Sequence, residues 1–95
     1  MKGYIVCVYK SIKDQNSLKN YATEARAAVE KYKGKFLIRG GNKITTEGEN
    51  WERTVVIEFS SFQEAKTFYY SEEYKKAHAL LGNTVVRHHH IVEGA

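Results

Sequence analysis

Thr54-Val55-Val56-Ile57-Glu58-Phe59, followed after Ser60-Ser61 by Phe62-Gln63-Glu64-Ala65-Lys66-Thr67-Phe68-Tyr69-Tyr70-Ser71-Glu72-Glu73-Tyr74, is the stretch on which the fold turns. Its first part is β-branched and aromatic, which fits a strand over about 53–59. Ser61-Phe62-Gln63-Glu64 has the S-x-x-E form of a capping box, so a helix is expected to start there with Ala65, Phe68 and Tyr69 toward the core. Ser71 competes for backbone hydrogen bonds inside a helix and suits an N-cap. The helical run is therefore expected as two pieces, about 62–70 and 72–81, closed by Gly82-Asn83.

Working outward, residues 3–10 read as an apolar first strand, and Asp14 is the expected N-cap of a helix over about 15–33. Leu18, Tyr21, Ala22, Ala25, Val29 and Tyr32 recur at helical spacing along one stripe, and Gly34 ends the pattern. Lys35-Phe36-Leu37-Ile38-Arg39 is a second strand stopped by Gly40-Gly41, Asn42 to Asn50 is a polar loop, and Val85 to Glu93 is the last strand. The order is β-α-β-β-α-β. The fold class is thus α+β, a ferredoxin-like arrangement with a four-stranded antiparallel sheet and its helices on one face.

The 95 residues, 42% hydrophobic and 13% aromatic, are expected to form one domain spanning 1–95. A chain of this size buries only roughly 60–65% of its unfolded surface, so self-association would add useful burial. The strand segments Tyr4 to Tyr9, Phe36 to Ile38 and Val55 to Ile57 are apolar at both parities, whereas a solvated sheet face would alternate. The second face therefore calls for a cover. A copy of the same chain packed sheet to sheet is the economical one, giving a homodimer through the open sheet face.

Charge and cysteine content narrow the uses. The net charge of +4 is spread from Lys2 to Arg87 with acidic residues interleaved and forms no basic stripe, so no nucleic-acid partner is expected. Lys31, Lys33 and Lys35 cluster at a helix end, where cations complement the dipole. The opening apolar run is too short for a membrane span and lacks a small-residue cleavage site. The lone Cys7 cannot form an internal disulfide. A cytoplasmic protein with no membrane partner is the expectation, with Cys7 as a small buried hydrophobe.

Several residues together carry a resemblance: Tyr4; Arg39-Gly40-Gly41; Trp51 and Arg53 before Val55-Val56-Ile57-Glu58-Phe59; Ser61, Ala65, Phe68-Tyr69, Ser71, Glu73-Tyr74; and Val92-Glu93-Gly94. In order and spacing, over nearly the whole chain, they resemble the domain-of-unknown-function family 1330 of the dimeric α/β-barrel superfamily. The resemblance implies a ferredoxin-like protomer and a face-to-face dimer. It implies no chemistry, although the wider superfamily includes small monooxygenases, isomerases and chlorite-degrading enzymes. Ser60 stands where many members have Pro, and Phe68 where many have Trp. Leu80-Leu81-Gly82 occupies the place of a common arginine, for which Arg87 or the histidines are the candidate substitutes.

Polar residues inside strands are the places to look for chemistry. Counting parity along an unbroken ladder puts Arg39 with Leu37, and Glu58 with Thr54 and Val56, all on the open face. Arg39 and Glu58 would then be neighbours, either an ion pair setting the dimer's register or a cavity pair in which Arg39 holds an oxyanion and Glu58 serves as acid or base. In His88-His89-His90, His88 and His90 share a face, about 6.5–7 Å apart, and either is a candidate general base. A metal would need a third ligand from Glu58, His78 or the partner chain, at no diagnostic spacing, so neither a metal nor another cofactor is assigned. Tyr4, Trp51, Arg53 and Tyr74 are the candidate substrate-binding residues, while Tyr21, Tyr32, Phe62, Phe68 and Tyr69 fall on core stripes.

Three uses remain open on these residues. One is a small cofactor-independent enzyme acting on an aromatic or carbonyl compound by proton transfer or oxygenation. The others are a non-catalytic small-molecule-binding dimer and a structural dimer. Cavity volume discriminates them, because ligand sites of this kind need roughly 300 Å³ or more.

Overall fold

The computed structural model describes all 95 residues. Its elements are β1 (Gly3–Ile12), α1 (Gln15–Lys31), β2 (Lys35–Arg39), β3 (Arg53–Phe59), α2 (Phe62–Tyr69), α3 (Glu72–Ala79) and β4 (Val85–Glu93). The four strands form one antiparallel sheet in the order β2-β3-β1-β4, the ferredoxin-like order expected of β-α-β-β-α-β.

The caps set the helices where the sequence placed them. The Asp14 carboxylate accepts from the Asn16 amide at 2.9 Å, and Ser61 Oγ accepts from the Glu64 amide at 3.0 Å. Ser71 is bonded on both sides: its Oγ accepts from the Tyr74 amide at 3.1 Å and donates to the Phe68 carbonyl at 2.7 Å. One hydroxyl thus ends α2 and starts α3. α1 stops at Lys31, two residues short of the expected end, and Lys33, at φ 61°, takes the left-handed turn that follows it. Gly34 is needed for space instead, since a Cβ there would stand 2.7 Å from the Phe59 ring.

The core lies between the sheet and the helices. Ile5, Phe59, Phe68, Val29 and Leu81 are its largest fully buried side chains, with Ala65 and Ala77 letting α2 and α3 approach closely. α2 lies on β1, β3 and β4, whereas α1 leans on α3. A cavity of about 340 Å³ opens between α1 and the sheet.

The other sheet face carries nothing. Tyr4, Val6 and Val8 of β1 register with Glu58, Val56 and Thr54 of β3 and with Val92, His90 and His88 of β4. Ile38 and Val92 on this face are 45% and 44% exposed, so an apolar surface is left uncovered by the rest of the chain.

β2 departs from the simple ladder. Phe36 pairs with Ile57 but Ile38 pairs with Val56, leaving Leu37 unopposed in a bulge. The extra residue reverses parity beyond it. Arg39 consequently pairs with Val55 on the helix side of the sheet, and not with the open-face residues among which the unbroken count put it.

Candidate functional site

The helix-facing side of the sheet forms the floor of the cavity in three rows. Arg53, Tyr9 and Arg87 make one, Arg39, Val55, Cys7 and His89 the next, and Phe36, Ile57 and Ile5 the third. α1 forms the roof with Leu18, Tyr21, Ala22 and Val29, and Phe68 and Tyr74 close the far end.

At that end a guanidinium is held by neutral groups. Arg87 Nη1 donates to Tyr9 Oη at 3.1 Å, to Tyr21 Oη at 3.4 Å and to Cys7 Sγ at 3.5 Å, while Nη2 donates to Tyr74 Oη at 3.0 Å. The Tyr21 and Tyr74 hydroxyls bond one another at 2.8 Å. The Arg87 guanidinium also lies over the rings of Tyr9 and Tyr21, 5.5 and 5.3 Å from their centroids. No carboxylate compensates its charge: the four ion pairs of the molecule join Lys10 to Glu49, Arg26 to Glu30, Lys31 to Glu73 and Lys75 to Glu72. No Asp or Glu lines the cavity at all.

Protonation states follow from burial and from this cation. Burial raises the pKa of Tyr9 and of Tyr74 well above the phenolic range, outweighing the opposing pull of Arg87, so both remain hydroxyls. Burial likewise raises the Cys7 thiol against the opposing effect of Arg87. His89 packs beside the Tyr69 ring at 5.0 Å, and burial followed by the Arg87 charge pulls its pKa down to about 3. His78, beside Tyr74, is lowered for the same two reasons. The site is therefore a fixed positive charge among neutral donors, with a neutral imidazole beside it.

The candidate residues divide between the two sides of the sheet. Arg39, Arg53 and Tyr74 line the cavity. Glu58 lies on the opposite face, where it accepts a hydrogen bond from Tyr4 Oη at 3.0 Å, and this bond raises the Tyr4 pKa. The expected Arg39–Glu58 neighbour pair does not form, because the bulge at Leu37 turns Arg39 to the other side. His88 and His90 share that open face with ring centroids 6.0 Å apart, and Trp51 meets His88 edge to face at 4.8 Å while its Nε1 donates to Glu49. No group of three His, Cys, Asp or Glu side chains of the chain converges on a metal position, there or elsewhere. Glu58, His88 and His90 are thus separated from the cavity by the sheet.

Tyr9, Tyr21 and His89 are the cavity residues that sequence reasoning missed, and Arg87 entered it only as a stand-in for an absent arginine. The available signal was register: pairing β4 with β1 so that Ile91 meets Ile5 puts Arg87 beside Tyr9.

A ferredoxin-like domain with a cationic, aromatic cavity between α1 and the sheet is the class of protein these features define. Within that class the chain belongs to the family described as a domain of unknown function, DUF1330, which it matches over residues 2–95. No curated protein matches it. Among solved structures it is similar to a protein of unknown function from Rhodopseudomonas palustris, at 12% identity and TM-score 0.78, covering 99% of this chain and 82% of that one. A dimeric protein of unknown function and ferredoxin-like fold from Bacteroides fragilis matches at 16% identity and TM-score 0.67, covering 98% and 96% of the two chains. A Caulobacter crescentus protein provisionally assigned as an antibiotic biosynthesis monooxygenase matches at 14% identity and TM-score 0.64, covering 99% and 89%. At such identities the likeness establishes the fold. No helix is long and apolar enough to cross a membrane.

Proposed function

We propose that the protein is a homodimer, paired through the open sheet face, each protomer of which binds a small apolar organic anion in the cavity beneath α1. The observation that carries this reading is Arg87, a guanidinium held toward an apolar cavity by three tyrosine hydroxyls and a thiol, with no carboxylate beside it. A carboxylate or enolate oxygen supplies the missing negative charge with two charge-assisted hydrogen bonds. The volume of about 340 Å³ suits a single-ring compound. The dimer is supported by the uncovered apolar face and by relatives described as dimeric.

Binding is favoured over acid–base turnover by the protonation states of the same groups. An efficient general base titrates near the working pH. His89 is held near 3, and Cys7, Tyr9 and Tyr74 are displaced upward, so none of them exchanges a proton readily near neutrality.

The test is a thermal-shift comparison of benzoate with benzamide, which share shape but not charge. Benzoate should raise the melting temperature of the wild type and benzamide should not, and Arg87→Met should abolish the benzoate response. Equal responses to the two, or a benzoate response unchanged in Arg87→Met, would overturn the reading. Light scattering tests the assembly, with a mass twice the 10.9 kDa of one chain expected.

A further inference from the structure

We infer that the cavity is built for a ligand with two anionic groups, the second held by Arg53 and Arg39 at the end of the cavity opposite Arg87. This rests on the reading above that Arg87 anchors the first.

Arg53 and Arg39 line the same cavity as Arg87, and neither takes part in any ion pair of the molecule. Arg53 and Arg87 stand on either side of Tyr9 in one row of the sheet. Two interstrand spacings put their Cα atoms about 10 Å apart. The Arg53 guanidinium lies against the backbone at Gly40, so close that a Cβ there would stand 2.6 Å from it, and Gly40 takes φ +72° at that point. Arg39 reaches the same end because of the bulge at Leu37, and its guanidinium rests over the Phe36 ring at 4.9 Å. Between the two ends Val55 and Ile57 below and Leu18 and Ala22 above give apolar wall, alongside Tyr9 and Cys7 of the sheet and Lys19, Thr23 and Arg26 of α1.

Charge and geometry together favour two anionic groups over one. A single carboxylate occupies one guanidinium fork. With Arg87 fixed by the tyrosines, such a ligand would leave the half-buried Arg53 and the exposed Arg39 at the other end without an anionic partner. A dianion with a rigid apolar spacer satisfies both ends and puts its spacer against the apolar walls. A benzene ring or a short carbon chain bearing two carboxylates is the chemical class that fits.

Calorimetric titration of the wild-type protein with isophthalate and with benzoate at equal ionic strength tests this. A second charge-assisted contact predicts that isophthalate binds about ten- to a hundred-fold more tightly than benzoate. In Arg53→Gln and in Arg39→Gln that ratio should fall toward one, and Arg53→Lys should recover part of it. Circular dichroism melts identify variants that have lost the fold, and either of the two Gln variants suffices. A wild-type ratio within about three-fold of one, or a ratio unchanged in the folded Gln variants, overturns the two-anion inference. It leaves Arg87 binding intact if benzoate still binds and Arg87→Met still abolishes it. If neither compound binds the wild type at millimolar concentration, both readings fall.

Discussion

His89 provides the sharpest quantitative prediction, because it concerns the fold itself and requires no ligand. In the unfolded chain its imidazole titrates near 6.5, and in the folded protein burial and the Arg87 charge hold it near 3. Between those values the unfolded state carries a proton that the folded state lacks. Stability therefore rises with pH through this window and is lost as pH falls below about 6.5, at a limiting slope of about 1.4 kcal/mol per pH unit. From pH 7 to pH 5 the loss is about 2 kcal/mol, which for a chain of this length corresponds to a fall in Tm of roughly 8–16 °C. His78, lowered in the same direction, adds to the slope with the same sign. Glu73, pulled down to about 2 first by its hydrogen bond from Lys31, acts in the same sense only below the carboxylate range near 4.5. Melts of wild type and His89→Phe at pH 7, 6 and 5, followed by far-ultraviolet circular dichroism, separate these groups. Phe keeps the ring beside Tyr69 and removes the titration, so its Tm should depend far less on pH over this range. A flat wild-type profile between pH 7 and 5, or the same slope in His89→Phe, would refute the argument.

Three further outcomes follow from the packing, the caps and the proposed assembly. Phe68 is 1% exposed and stacks within 5.1 Å of Phe59 and 4.9 Å of Tyr74. Phe68→Ala should cost about 3–5 kcal/mol in urea unfolding, and a loss under about 1 kcal/mol would mean that the site collapses freely. Ser71→Ala removes the cap of α3 and should cost about 1 kcal/mol, seen as a Tm lower by about 4–8 °C, whereas an unchanged Tm would show water replacing the hydroxyl without loss. Val56→Lys places a charge in the middle of the open face, between Val6 and Ile38. The light-scattering mass should fall to that of one chain with the circular dichroism spectrum unchanged, and a dimer that survives would place the interface elsewhere.

The fold was legible in the sequence because its signals are local. The Ser61 and Ser71 caps, the helical stripe from Leu18 to Tyr32 and the apolar strand runs each act within a few residues, and each appears in the structure within two residues of its expected position. The cavity was not legible, because Tyr9, Tyr21, Tyr74 and Arg87 come from β1, α1, α3 and β4 and meet only when the sheet registers are fixed. The face of Arg39 was misread for a related reason. Parity counting assumes an unbroken ladder, and in Phe36-Leu37-Ile38 every residue is apolar, so the pattern carries no mark of which one stands out of the pairing. Glu58, on the regular ladder of β3 against β1, was placed on the correct face by the same count.

That unopposed Leu37 fixes which face of the sheet receives the arginine at the end of β2. Pairing all five residues of β2 in an unbroken ladder would move Arg39 through the sheet from the cavity side to the open face, whereas deleting Leu37 would leave it opposite Val55, with no change to the arginine itself. The bulge therefore absorbs one extra residue of strand without exchanging a cavity-lining cation for one on the open face. A shorter strand of the same pattern, with no bulge, would present its arginine to the same face, so an alignment that counts parity through Leu37 would equate side chains facing opposite ways.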